Sequence, residues 1–179
     1  STILESIAYG VVPVIVNTGI ADAINSLPKG IRGSREAVAE TIENNVRSKI
    51  IKDHLIDPAF FEEMSKLLDS IIKERKANAI SYEEYLKKIA GLAKRVNEGK
   101  SESTPDGLNT PAKRALYNNL GEDEGLALAV HEKVVTYRPD NWKGNRTKEQ
   151  VIKSKLLEVL GDEKEVERIF AIVKQQSEY

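Results

Sequence analysis

Val38, Ile42, Val46 and Ile50 recur every fourth residue with polar residues between them. That spacing paints an apolar stripe on one face of a helix through AVAETIENNVR, residues 37–47. Ser34 stands where an N-cap is needed, and Glu36 falls in the first turn, where the helix dipole favours an anion. Glu43 and Arg47 are four apart in the order that suits a surface ion pair. Asn44-Asn45 interrupts the pattern, because Asn costs up to about 0.7 kcal/mol relative to Ala inside a helix. Asn45 borders the stripe. Its amide is expected either to bond a neighbouring backbone or to contact a partner or a nucleic acid.

The same period organises most of the chain. Ile3, Leu4, Ile7, Ala8 and Val11 are helically spaced. The β-branched run from Val11 to Val16 fits either a buried strand or a helix broken at Pro13; helix is preferred because the remainder reads as helix. Ile20 to Leu27 predicts a short helix ending before Pro28, and residues 29–33 predict a loop. Asp57-Pro58 opens the next helix as N-cap and first residue, with Phe61, Met64, Leu68, Ile71 and Ile72 along it. Ser81-Tyr82-Glu83-Glu84 is a capping box with Ile80 as a staple on Tyr85. Its stripe is Tyr85, Leu86, Ile89, Ala93 and Val96. Two such helices with a short break predict an antiparallel αα-hairpin that packs on itself and on the helix at 37–47.

Residues 98–109, EGKSESTPDGLN, are polar, aperiodic and linker-like. Thr110-Pro111 restarts helix, which Gly121 stops. Further helices are expected over Asp123–Tyr137, from a capping box at Thr147–Gln150 to Leu160, and onward from Asp162. The expectation is an all-α multi-helix bundle of about seven to nine helices with a long αα-hairpin. Its one irregular or strand-like candidate lies near residues 11–16. The organisation is a lead-in at 1–33, a hairpin core at 34–97, the linker, and C-terminal helices at 110–179 packing into the same domain.

Composition narrows the chemistry. Charged residues make up 31% of the chain and aromatics 6%, and mean hydropathy is mildly negative. Net charge is −1, so any attraction for nucleic acid must be local. With no cysteine, disulfides, thiolate metal sites and a Cys nucleophile are excluded. No apolar run reaches membrane-spanning length. The chain begins at Ser1 without Met, inside an apolar pattern, as a piece of a longer protein would.

Three apparent motifs fail on inspection. Gly99-Lys100-Ser101 ends like a phosphate-binding loop, but Lys94 stands where the first Gly is required, and a helix rather than a strand precedes it. Pro139-Asp140 with Asp162-Glu163-Lys164 spells a nuclease metal site. Those acids belong on adjacent strands, whereas here one falls in a loop and the other at an N-cap. His131-Glu132 lacks the second His of a zincin, since Val135 holds that place. His54 and His131 therefore read as ordinary residues, and no metal, cofactor or catalytic residue is assigned. Two binding candidates remain. Residues 138–155 carry six cations against two carboxylates; there Trp142, Lys143, Asn145, Arg146 and Lys148 could meet a nucleic acid, Trp142 stacking a base and the cations meeting phosphates. The other reading of that stretch is a turn whose Trp plugs the core. Tyr117-Asn118-Asn119 is a candidate partner contact alongside Asn44, Asn45 and Arg47.

AVAETIENNVR, the hairpin after it, ALYNNL (115–120), NWKGN (141–145) and the closing QQSEY (175–179) together resemble the C-terminal region of the restriction (R) subunit of type I restriction–modification enzymes. The resemblance runs from about residue 26 to 179 and is weaker before that. It implies a cytoplasmic, non-catalytic helical domain that assembles with the methyltransferase and specificity subunits. In the whole subunit, ATP and Mg²⁺ serve a DNA-translocating motor and an N-terminal nuclease. The motor motifs are absent from this chain. A second function consistent with the residues is a DNA-contacting accessory domain using the basic loop and helix at 138–155 on duplex.

Overall fold

The computed structural model describes the backbone of residues 2–179 and the side chains from residue 10 onward. Regular structure is helical throughout, with ten α-helices and no strand among the described residues. The chain divides into two compact units: Ser1–His54 with Phe61–Lys100, and Leu55–Phe60 with Ser101–Tyr179. The linker-like stretch at 98–109 contains the last of these divisions.

The first unit begins with α1, Thr2–Thr18, which runs through Pro13 without a break. The strand alternative for residues 11–16 is thereby overturned, and so is the expected break. An interior proline removes one backbone bond and crowds the preceding turn. Against that cost, Val11, Val12 and Ile15 are all buried to 5% exposure or less; each such side chain stabilises by roughly 1.5–3 kcal/mol. The expected burial of Ile3, Leu4, Ile7 and Ala8 lies outside the described residues. A short α2, Ile20–Asn25, follows. The loop expected at 29–33 is a single helical turn, α3, Lys29–Arg32, closed by Ile31 N–H and Arg32 N–H on the Pro28 carbonyl. That turn takes the helix count past nine.

Helix α4, Arg35–Asp53, starts where the pattern placed it: Ser34 is the N-cap and its hydroxyl accepts from Ala37 N–H. Val38, Ile42, Val46 and Ile50 are all buried. After a 3₁₀ turn at His54–Ile56 comes α5, Pro58–Lys76, and then α6, Tyr82–Glu98, capped by Ser81 and closed by left-handed Gly99. Within this unit α1 packs on α4 and α6, and α4 on α6. The α5–α6 hairpin is therefore present in sequence order, but α6 makes its close packing with α1 and α4. Leu86 is only half-buried, and Leu92 takes its place in the core.

The second unit holds α7, Pro111–Asn119, α8, Glu124–Tyr137, α9, Arg146–Leu160, and α10, Glu163–Gln175. Each packs on its neighbour in sequence, and α10 returns to α7. One core runs through them, from Ala112 and Leu116 to Ile169, Phe170 and Tyr179. The start of α9 differs from expectation. Asn145, not Thr147, is its N-cap, accepting from Lys148 N–H; the Asn amide oxygen competes well for that role and sits two residues earlier.

Candidate functional site

In the first unit the polar chemistry gathers on α4. Glu43 is 5% exposed, on the buried side of the helix rather than on its surface. Arg75 of α5 grips it with Nε and Nη2, at 2.7 and 2.9 Å. The Tyr85 hydroxyl of α6 donates to the same carboxylate at 2.7 Å and lies 3.3 Å from the Ala39 carbonyl. The hydrogen bond to Glu43 holds the Arg75 guanidinium more firmly protonated than usual. Burial, followed by the adjacent Glu43, pushes the Tyr85 phenol well up. The expected Glu43–Arg47 surface pair is thus incorrect: Arg47 bonds Asp69 at 2.6 Å instead. Burial of one face of α4 withdrew Glu43 from the solvent-side geometry that an i,i+4 pair needs. Asn45, 2% exposed, donates to Thr41 O within its own helix, and its Oδ1 has no partner. Asn44 is exposed.

The second unit is built round Asp57, which caps α5 through Phe60 N–H at 3.3 Å. Asn119 Nδ2 donates to Oδ1 at 2.7 Å and Asn118 Nδ2 to Oδ2 at 2.9 Å. Asn119 reciprocates by accepting from Ala59 N–H at 3.1 Å. Gln176 Nε2 donates to the Ile56 carbonyl at 2.8 Å, and Arg168 donates to the Asn119 carbonyl at the end of α7. The segment 55–60 is therefore clasped by side chains of α7 and of the residues following α10. Burial raises the Asp57 carboxyl to about 6, against the downward pull of Asn118, the Phe60 amide, Asn119 and, last, Arg114. Sequence reading identified Asp57 only as a cap. Gln176 carried no local signal of its role, because its partner lies 120 residues away.

The loop between α8 and α9 closes on the last residues. Trp142 is 2% exposed; its indole N–H donates to the Tyr179 carbonyl at 3.0 Å, and its ring lies against Phe170. Lys143 donates to the Gln176 carbonyl, and Arg138 to that of Glu178 at 2.6 Å. The Tyr179 hydroxyl is 2.5 Å from His131 Nδ1. Burial lowers His131, with Glu178 opposing, and raises the Tyr179 phenol.

Trp142 is thus a core residue, placed as the turn-and-plug reading has it and not to stack a base. Asn145 is engaged as a cap, and Lys148 donates to the Asp140 carbonyl. Lys153 and Lys155 pair with Glu167 and Glu158. Arg146 is exposed. Of the partner-contact candidates, Asn118 and Asn119 come together on Asp57, whereas Asn45 and Arg47 belong to the other unit.

These arrangements position backbone. Asp57 faces three donors from its own chain. Asp140 lies in the α8–α9 loop, and Asp162 caps α10 through Lys164 N–H. No group of three or more His, Asp or Glu suited to a metal occurs among the described residues, and no helix there is long and apolar enough to cross a membrane. The class the fold defines is an all-α helical domain. Compared with known proteins, the chain matches no family model, no curated protein and no solved structure.

Proposed function

We propose that this chain is a non-catalytic helical assembly domain, the counterpart of the C-terminal region of a type I restriction R subunit, working in the cytoplasm and docking that subunit on its methyltransferase and specificity partners. ATP, Mg²⁺ and bond cleavage belong to other parts of such an enzyme. One observation carries the reading. Three motifs on which the resemblance rests, far apart in sequence, are joints of a single unit. Asn118 and Asn119 of ALYNNL hold Asp57, Trp142 and Lys143 of NWKGN hold Tyr179 and Gln176, and Gln176 of QQSEY holds Ile56. Residues that define a likeness by building an architecture, rather than by lining a reaction centre, fit a domain whose work is to be recognised.

The DNA-contacting alternative has less behind it, because the aromatic residue it needs is buried and most of its cations bond within the chain. Retention of a purified methyltransferase–specificity complex by the immobilised chain tests the proposal. Its passage through the column unretained, with the chain shown to be folded, overturns it.

A further inference from the structure

Helices α5 and α6 are consecutive and joined by a short turn, yet an open groove of about 310 Å³ separates part of their length. Its floor is apolar, with Leu67 and Ile71 on one side and Leu92 on the other. Gly91 borders it, in the interior of α6. An interior helical glycine destabilises a helix relative to alanine, because it has more backbone freedom to lose. A residue that costs stability is normally excused by crowding. Here the excuse is missing: a Cβ built on Gly91 meets nothing within 4 Å. Among the described residues nothing demands that this position lack a side chain.

The groove's rim carries three cations, Lys87, Lys88 and Arg95, against one carboxylate, Glu74. Among the described residues Lys87 and Arg95 have no ion-pair partner, while Lys88 is paired with Glu74 at 2.7 Å. Those two cations flank an apolar trough. The complementary object is a helix with an apolar stripe bordered by carboxylates. A small residue at the contact lets a second helix come close to the first.

We propose that the α5–α6 groove is a docking site for an amphipathic helix of a partner protein whose apolar stripe is flanked by acidic residues, its backbone seated against Gly91. The proposal takes from the assembly reading only that the domain docks; it adds where and by what chemistry.

Two synthetic helical peptides of about 15 residues provide the probe, sharing one leucine stripe and differing only in glutamate or lysine flanks. Titrated into the ¹⁵N-labelled full chain, the glutamate peptide is expected to shift the amides of Leu67, Ile71, Gly91 and Leu92, and the lysine peptide to leave them. Gly91→Ala is then expected to act in opposite directions on two readouts. The free chain melts higher, by roughly 2–4 °C, while the glutamate peptide binds roughly tenfold more weakly. Lys87→Glu with Arg95→Glu should reverse the peptide preference. Equal response to both peptides, no response to either, or unchanged affinity in Gly91→Ala overturns the groove. If the glutamate peptide binds and the methyltransferase complex is not retained, the groove stands and the assembly reading falls. If the complex is retained equally well by Gly91→Ala and the peptides fail, the reverse holds.

Discussion

Among the described residues two carboxylates are buried, and they are kept by different means. Glu43 in the first unit and Asp57 in the second are each 5% exposed. Glu43 faces a full opposite charge, Arg75, in a two-pronged bond with a phenol added. Asp57 faces dipoles: two side-chain amides and one backbone N–H. A guanidinium offsets the desolvation of a carboxylate by Coulomb attraction as well as by hydrogen bonds. Amides supply only the hydrogen bonds, and burial raises the Asp57 carboxyl to about 6 against them. The lesson is that equal burial can be met by a counter-charge or by dipoles alone. The first unit is fastened by an ion pair, the second by an amide clasp that is sensitive to pH.

The largest effect should come from breaking the ion pair on one side. Arg75→Met keeps most of the stem and strands a buried Glu43. The expected loss is about 3–5 kcal/mol in urea unfolding at neutral pH. Changing Glu43 to Leu in the same chain should recover most of it, since a well-packed apolar pair often matches a buried ion pair. A single-variant loss below about 1 kcal/mol would mean that Glu43 is not held as a charge, and the contrast between the units would fail.

The pH dependence of Asp57 comes next. Its folded value of about 6 lies above the ordinary 3.8, so the folded state holds the proton more tightly than the unfolded chain does. The resulting stabilisation is complete below about pH 3.8 and is lost as pH rises through about 6. The shift corresponds to at most about 3 kcal/mol. Unfolding free energies measured from pH 4 to 7 for the wild type and Asp57→Asn should draw together or cross by that order as the pH rises. A difference that stays flat would show the amides holding the charge as well as Arg75 does for Glu43.

Asn119→Ala tests the clasp itself. It removes the bond to Asp57 and the acceptor for Ala59 N–H, both in a site where Asn119 is 7% exposed. The expected cost is about 1–3 kcal/mol, with thermal unfolding as the readout. The loss should be larger at pH 7 than at pH 4.5, because the amide favours the ionised carboxyl.

What could be read from the sequence divides along a physical line. Interactions within one turn were legible. Ser34, Ser81, Thr110 and Asp162 each cap the helix that the pattern assigned to them, and left-handed Gly161 closes α9. Two local rules misled. Thr147 spells a capping box, but Asn145 two residues earlier is the cap. Glu43 and Arg47 spell an ion pair, but the fold buries the first. The fasteners proper were out of reach: Arg75–Glu43 spans 32 residues, Asn119–Asp57 spans 62 and Gln176–Ile56 spans 120. Polar residues carry no periodicity to announce such partners. Their helices could be placed while their contacts could not. Pro13 failed for the opposite reason, since tertiary burial overrode a strong local rule.

The smallest effect sharpens the comparison most. Arg114 is the nearest approach the clasp makes to a counter-charge, and it is the last of the influences lowering Asp57. It does not grip the carboxylate: its guanidinium donates to the Leu108 carbonyl at 3.3 Å, and its Nε is buried without a partner. Arg114→Met should therefore move the midpoint of the Asp57 transition upward by only a few tenths of a pH unit, an energy well under about 1 kcal/mol. The midpoint is the quantity to follow, by carboxyl NMR, because overall stability will also register the lost bond to Leu108. A rise of a full unit or more would make Arg114 a true counter-ion acting through space. Asp57 would then be a second Glu43 with its cation set back, and the amides would be its aligners rather than its support.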